Sequence, residues 1–243
     1  MSAAVLSCQA QSPAFEVASV KLNRLGGDRG GISLLPGRIT VSNMTLKGLV
    51  RYAYDVRDIQ ISGGPSWFDS DRWDIAATAT GGITDDERRQ MLQTLLAERF
   101  HLALRHEAKD LPVYALTLAK SGSRMKSNPD ENRPRIQMGA SVKGFLKLTG
   151  EDAPVAQLAA VLVAQAGRIV VDRTGLEGRF DFSLEWVPDA ANLPSINGAK
   201  MVPAEDGPSL FTAVQEQLGL KLESTKAPVQ VLVIDRAEKA AEN

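Results

Sequence analysis

The sequence predicts an α+β chain of two tandem βαββαβ repeats, ferredoxin-like in order, each with one added hairpin strand. Three observations predict it. Leu46, Leu49, Val50 and Ala53 mark one face of an amphipathic helix, and Val155, Leu158, Ala159 and Leu162 repeat the same spacing in the second half. Each helix follows a strand-like run opened by a glycine, Arg38–Val41 after Gly37 and Phe145–Leu148 after Gly144. Beyond each helix lies a strand with a central aspartate, Arg72-Trp73-Asp74-Ile75-Ala76 in one half and Arg179-Phe180-Asp181-Phe182-Ser183 in the other.

Met1 to Ala14 reads as a signal remnant or disordered start, with small residues around Ala10 and Ser12, and predicts export to the periplasm or cell exterior. Val5-Leu6-Ser7-Cys8 resembles a lipoprotein cleavage site, so Cys8 is a candidate for lipidation. The first repeat is assigned to 15–119, with an extra alternating strand at Phe15–Val20 and a glycine-rich turn from Gly26 to Gly31. Short apolar strands are expected at Ile59–Ile61 and Ile169–Val171. The second helix of the first half starts at the Thr84-x-x-Glu87 capping box and buries Met91, Leu92, Leu95 and Leu96. Its counterpart starts after Gly207-Pro208, uses Leu210, Phe211, Val214 and Leu218, and stops at Gly219. Each helix leads into a strand, and a turn at Pro112 or Pro228 is expected before a last strand. Between the repeats, 120–143 holds six Lys or Arg against two acids and reads as an exposed basic linker. The second repeat is assigned to 144–236, with a long loop over 184–207, and the tail 237–243 is expected to be disordered.

A formal charge of −1 with 23% charged residues argues against the basic footprint of a nucleic-acid binder. No apolar run approaches the roughly 18 residues of a membrane helix, so no membrane span is expected in this chain. With a single cysteine there is no intramolecular disulfide.

The catalytic and metal signatures are absent from the sequence. His101 and His106 have an odd spacing on one expected strand, which sends them to opposite faces, too far apart for one zinc ion. The chain has neither a Gly-x-Ser-x-Gly elbow nor a phosphate loop, and nothing pairs two of its 29 acids across a cleft. No cofactor, metal or catalytic residue is therefore assigned. Ligand-binding candidates are the aromatics Trp67, Trp73 and Trp186, which suit sugar stacking or a protein anchor but equally suit a core, together with Arg99 and His106.

Four runs carry a resemblance: Phe15–Lys21, Gln60–Trp67, Leu95–Phe100 and Asp172–Asp181, with Gln217–Glu223 and Val233–Asp235 in support. Together they resemble the Solibacter-type acidobacterial family of unknown function, whose members are typically exported and occur as many paralogues. Each half is also weakly similar to the short N-terminal domains of secretins and TonB-dependent receptors. The resemblance implies an extracytoplasmic binding, sensing or protein-interaction module rather than an enzyme, with a protein partner or a cell-envelope ligand. The alternative is an envelope hydrolase acting on glycan or peptide through carboxylates in a cleft between the repeats.

Overall fold

A computed structural model describes residues 13–24, 26, 30–128, 133–140, 144–189, 195–196, 199–200, 203–204 and 206–241. The signal and lipidation expectations at Met1–Ser12 and Cys8 lie outside these, as do parts of the glycine-rich turn and of the 184–207 loop. Among the described residues the fold is mixed α/β, with four α-helices and three four-stranded sheets. The chain divides into two compact units. Residues up to Lys109 join those from Val229 onward in unit 1, and Asp110–Pro228 form unit 2.

Unit 1 begins with β1 (Val17–Leu22), β2 (Gly31–Leu35) and β3 (Arg38–Thr45), the last two joined by a Pro36-Gly37 turn. Thr45 ends β3 and caps α1 (Leu46–Ala53), its hydroxyl accepting from the Gly48 N–H at 3.1 Å. The expected apolar face is buried: Leu46, Leu49 and Val50 are fully inaccessible to solvent. After β4 (Ile61–Gly63), β5 (Arg72–Thr78) returns between β1 and β3, giving an antiparallel sheet in the order β1-β5-β3-β2. The reciprocal Thr84–Glu87 bonds open α2 (Asp85–Arg99), as the capping box predicts, with three acids at the positive end of the helix and Arg99 at the other. Leu92, Leu95, Leu96 and Phe100 complete the core, while Met91 stays half-buried.

Unit 2 is built on a four-stranded sheet of its own. β7 (Lys126–Ser127), β8 (Arg135–Ala140), β9 (Leu146–Ala153) and β11 (Phe180–Trp186) form a sheet in the order β7-β11-β9-β8. α3 (Val155–Ala166) buries the four predicted positions and ends at Gly167, and α4 (Leu210–Leu218) ends at Gly219, both glycines left-handed. The cap of α4 is Ser209, not the preceding proline, and the buried face runs through Ala213, because Phe211 points outward at 40% exposure.

Several expectations are corrected. The strands of the βαββαβ order do not share one sheet as in a ferredoxin-like sandwich. β3 and β5 pair with each other, whereas β4 pairs in parallel with residues 232–234 of β14 (Leu220–Arg236). In unit 2, β10 (Val170–Asp172) likewise pairs in parallel with residues 114–116 of β6 (Ala103–Leu118). No turn forms at Pro112 or Pro228. Each sits inside a continuous strand of 16 or 17 residues, since proline's fixed φ fits extended backbone and neither neighbour is a glycine that would reverse the chain. The divisions between the two compact units fall inside β6 and β14. The basic 120–143 segment contains β7 and β8 instead of serving only as a linker. The tail is also anchored through residue 240: the Glu238 N–H donates to the Phe100 carbonyl at 2.7 Å, Lys239 pairs with Asp71 at 2.7 Å, and Ala240 packs into the core of unit 1.

Candidate functional site

The most constrained geometry in unit 1 is a bulge at the end of β3. Register slips between Val41 and Met44, and Asn43 adopts a left-handed φ of 53°. That conformation costs a non-glycine residue roughly 1–2 kcal/mol, so neighbours must hold it. Asp74 on β5 does so: one carboxylate oxygen accepts from the Asn43 N–H at 2.7 Å, and both accept from the Asn23 side-chain amide at 2.9 and 3.0 Å. Arg72 donates to the Asn43 carbonyl at 3.0 Å. Gly30 lies against that carbonyl, and a Cβ there would collide with it.

This bulge floors a groove between the start of β2 and the outer face of α1. Gly48, Arg51 and Tyr52 form a second stripe on α1 beside the buried one and, with Asp55 just past the helix end, face Gly30, Gly31 and Ile32 across a hollow of 690 Å³. A second hollow of 320 Å³ shares Gly30, Gly48 and Arg51 with it and continues past Asn43 to Arg72. The three glycines leave space that side chains would fill, and Gly48 lies in the first turn of α1, where its N–H donates to the Thr45 cap. Charges line both hollows. Asp58 pairs with Arg51 at 3.4 Å, Asp69 with Lys47 at 3.1 Å and Asp55 with Arg89 at 3.1 Å. Arg57 and Arg72 have no carboxylate partner among the described residues, and the Asp74 carboxylate behind the bulge accepts from the neutral Asn23 and Asn43 donors.

β2 forms one wall of this groove and is an edge strand. It pairs with β3 on one side, and no described strand pairs with it on the other. It carries no charged residue, and Leu34 and Leu35 are 41% and 55% exposed. Edge strands are ordinarily guarded by charges, prolines or bulges, because their free N–H and C=O groups template further pairing.

The sequence-derived candidates fall elsewhere. Trp73 and Trp186 are 1% and 2% exposed, each in the core of its own unit, so they support packing and present no face to a ligand. Trp67 is half-buried, edge-on to Trp73 at 6.4 Å, with the Lys239 ammonium 5.8 Å from its ring centre. Arg99 donates to the Ala18 carbonyl at 3.3 Å, which ties α2 to β1, and His106 is exposed on β6. Unit 2 contains a bulge held in the same way. Asp152 has φ 51°, and Asp181 accepts from its N–H and from the Asn128 amide, both at 2.9 Å. These two donors hold the Asp181 carboxyl below the usual carboxylate range against a smaller opposing effect of burial, with Lys126 adding to the lowering. Arg179 pairs with the buried Asp152 carboxylate at 2.9 Å.

Sequence reasoning missed the groove residues, although Gly48, Arg51, Tyr52 and Asp55 carry an i, i+3, i+4, i+7 signal of their own. No group of three or more His, Cys, Asp or Glu converges on a point among the described residues. A family model described as "Protein of unknown function (DUF3738)" matches residues 47–237. No curated protein and no solved structure matches the chain.

Proposed function

The chain belongs to the DUF3738 family of proteins of unknown function, and we propose that it is a non-catalytic protein-interaction module that binds an extended segment of a partner along β2. The uncharged β2 edge, with which no further described strand pairs, beside an open groove, carries this reading. A strand added to β2 satisfies its free backbone groups, packs apolar side chains on Leu34 and Leu35, and sends others into the hollow beneath α1.

The finer reading of the fold belongs to the same proposal: the units are copies of one ancestral repeat. The matched sheet orders support it, as does the shared clamp in which Asn23, Asn43, Arg72 and Asp74 correspond to Asn128, Asp152, Arg179 and Asp181. Under this alignment the residues in unit 2 at the positions of Gly30, Gly31 and Gly48 are Pro134, Arg135 and Gln157. The β8 edge thus carries a guarding arginine, and the Gln165 amide reaches Met138 Sδ at 3.7 Å between helix and edge. Binding is therefore assigned to unit 1, one site per chain.

The resemblance to exported acidobacterial proteins and the pattern of Met1–Ala14 support action outside the cytoplasm; retention of the mature protein in the cytoplasmic fraction would count against it. The binding test is selection of a linear twelve-residue peptide library on the purified protein, with Leu34→Lys as control. Peptides that enrich on the wild type and not on the variant are expected. Equal enrichment on both would remove β2 from the reading.

A further inference from the structure

We infer that the segment received by this groove is acidic, its carboxylate drawn to the cationic side chains that line the two hollows; the inference rests on the strand-addition reading. It follows from a charge count along the two hollows. Lys47, Arg51, Arg57 and Arg72 line them against Asp55, Asp58 and Asp69. Every one of those acids is already engaged, Asp58 by Arg51, Asp69 by Lys47, and Asp55 by Arg89. Arg72 donates to the neutral Asn43 carbonyl, so the bulge holds its charge in place. Arg57 is exposed, and neither guanidinium has a carboxylate partner among the described residues.

Gly48 and Arg51 lie in both hollows, so the hollow that Arg57 lines adjoins the one that Arg72 lines. Arg72, held by the bulge, and the exposed Arg57 together favour a carboxylate over an ammonium along the groove. The apolar half of the recognition comes from Leu34 and Leu35, which are exposed on an edge with no charge. An extended stretch combining apolar residues with Asp or Glu, or ending in its own carboxyl terminus, meets both requirements.

The experiment uses the full chain and the peptides enriched in the library selection. Synthetic copies are titrated by fluorescence anisotropy in three forms: as selected, with Asp and Glu replaced by Asn and Gln, and with the C-terminus amidated. Loss of an acidic side chain, or of the free terminus, is expected to weaken binding about tenfold, corresponding to one charge-assisted contact, and identifies which carboxylate is used. Arg57→Gln, which breaks no internal bond, is expected to remove that discrimination without changing the melting temperature, and binding of the acidic peptide is expected to weaken with salt. If the neutral, amidated peptide binds within about twofold of the acidic one, the acid preference is wrong and strand addition survives. If no peptide enriches on the wild type beyond Leu34→Lys, both fall together.

Discussion

Replacing Asp74 by alanine tests the physical basis of the groove floor. Asp74 accepts from the buried Asn43 N–H at 2.7 Å and from the Asn23 amide through both oxygens. A hydrogen bond to a charged acceptor contributes about 1.5–3 kcal/mol, and a buried N–H left without its partner costs about 1–3 kcal/mol. Asp74 is half-exposed, so solvent replaces part of what is lost, and the net destabilisation expected is about 2–4 kcal/mol. For a chain of this size that lowers Tm by roughly 5–15 °C. Urea unfolding followed by tryptophan fluorescence measures it, since Trp67 and Trp73 report on unit 1. Asn43→Gly supplies the counterpart: glycine accepts a φ of 53° without strain, so this variant on the Asp74→Ala background is expected to recover part of the loss. A loss below about 0.5 kcal/mol for Asp74→Ala would refute the clamp, because one hydrogen bond alone is worth more than that.

Three further outcomes follow from the same geometry. Trp186→Ala, at 2% exposure, should cost about 3–5 kcal/mol in chemical denaturation, as deletion of a core aromatic does; near-neutrality would return Trp186 to the list of surface ligands. Leu232→Ala, in the part of β14 that packs in the core of unit 1, should cost about 2–5 kcal/mol although it lies close to the chain's end in sequence; an unchanged melt would mean that β14 contributes nothing to unit 1. The Glu87 carboxyl is held below its ordinary value, first by the Thr84 backbone N–H and then by the Thr84 hydroxyl. Its contribution is therefore complete above the unfolded-state carboxylate range and disappears as pH falls through the lower folded value. Glu87→Gln should lower Tm at pH 7 and leave it unchanged in acid below both values, and a pH-independent difference would assign the effect to packing.

The sequence by itself determined the local elements. Helical spacing placed α1 and α3, the capping box placed the start of α2, and Gly219 placed the end of α4, because these signals depend on residues within a few positions of each other. The repeated aspartate strands were also legible, but their role was not, since an acid in a strand says nothing about the backbone N–H it will meet on the next strand. Only the tertiary structure decided that Pro112 and Pro228 continue their strands, that residues 229–240 complete unit 1, and that Trp73 and Trp186 are core. Pairing partners and burial depend on segments far apart in the chain, and a tryptophan reads the same in sequence whether its ring is enclosed or bare. The groove shows the division within one helix. Its second stripe of Gly48, Arg51 and Tyr52, continued by Asp55, was present in the sequence, yet it became the wall of a groove only where the start of β2 came to lie opposite it.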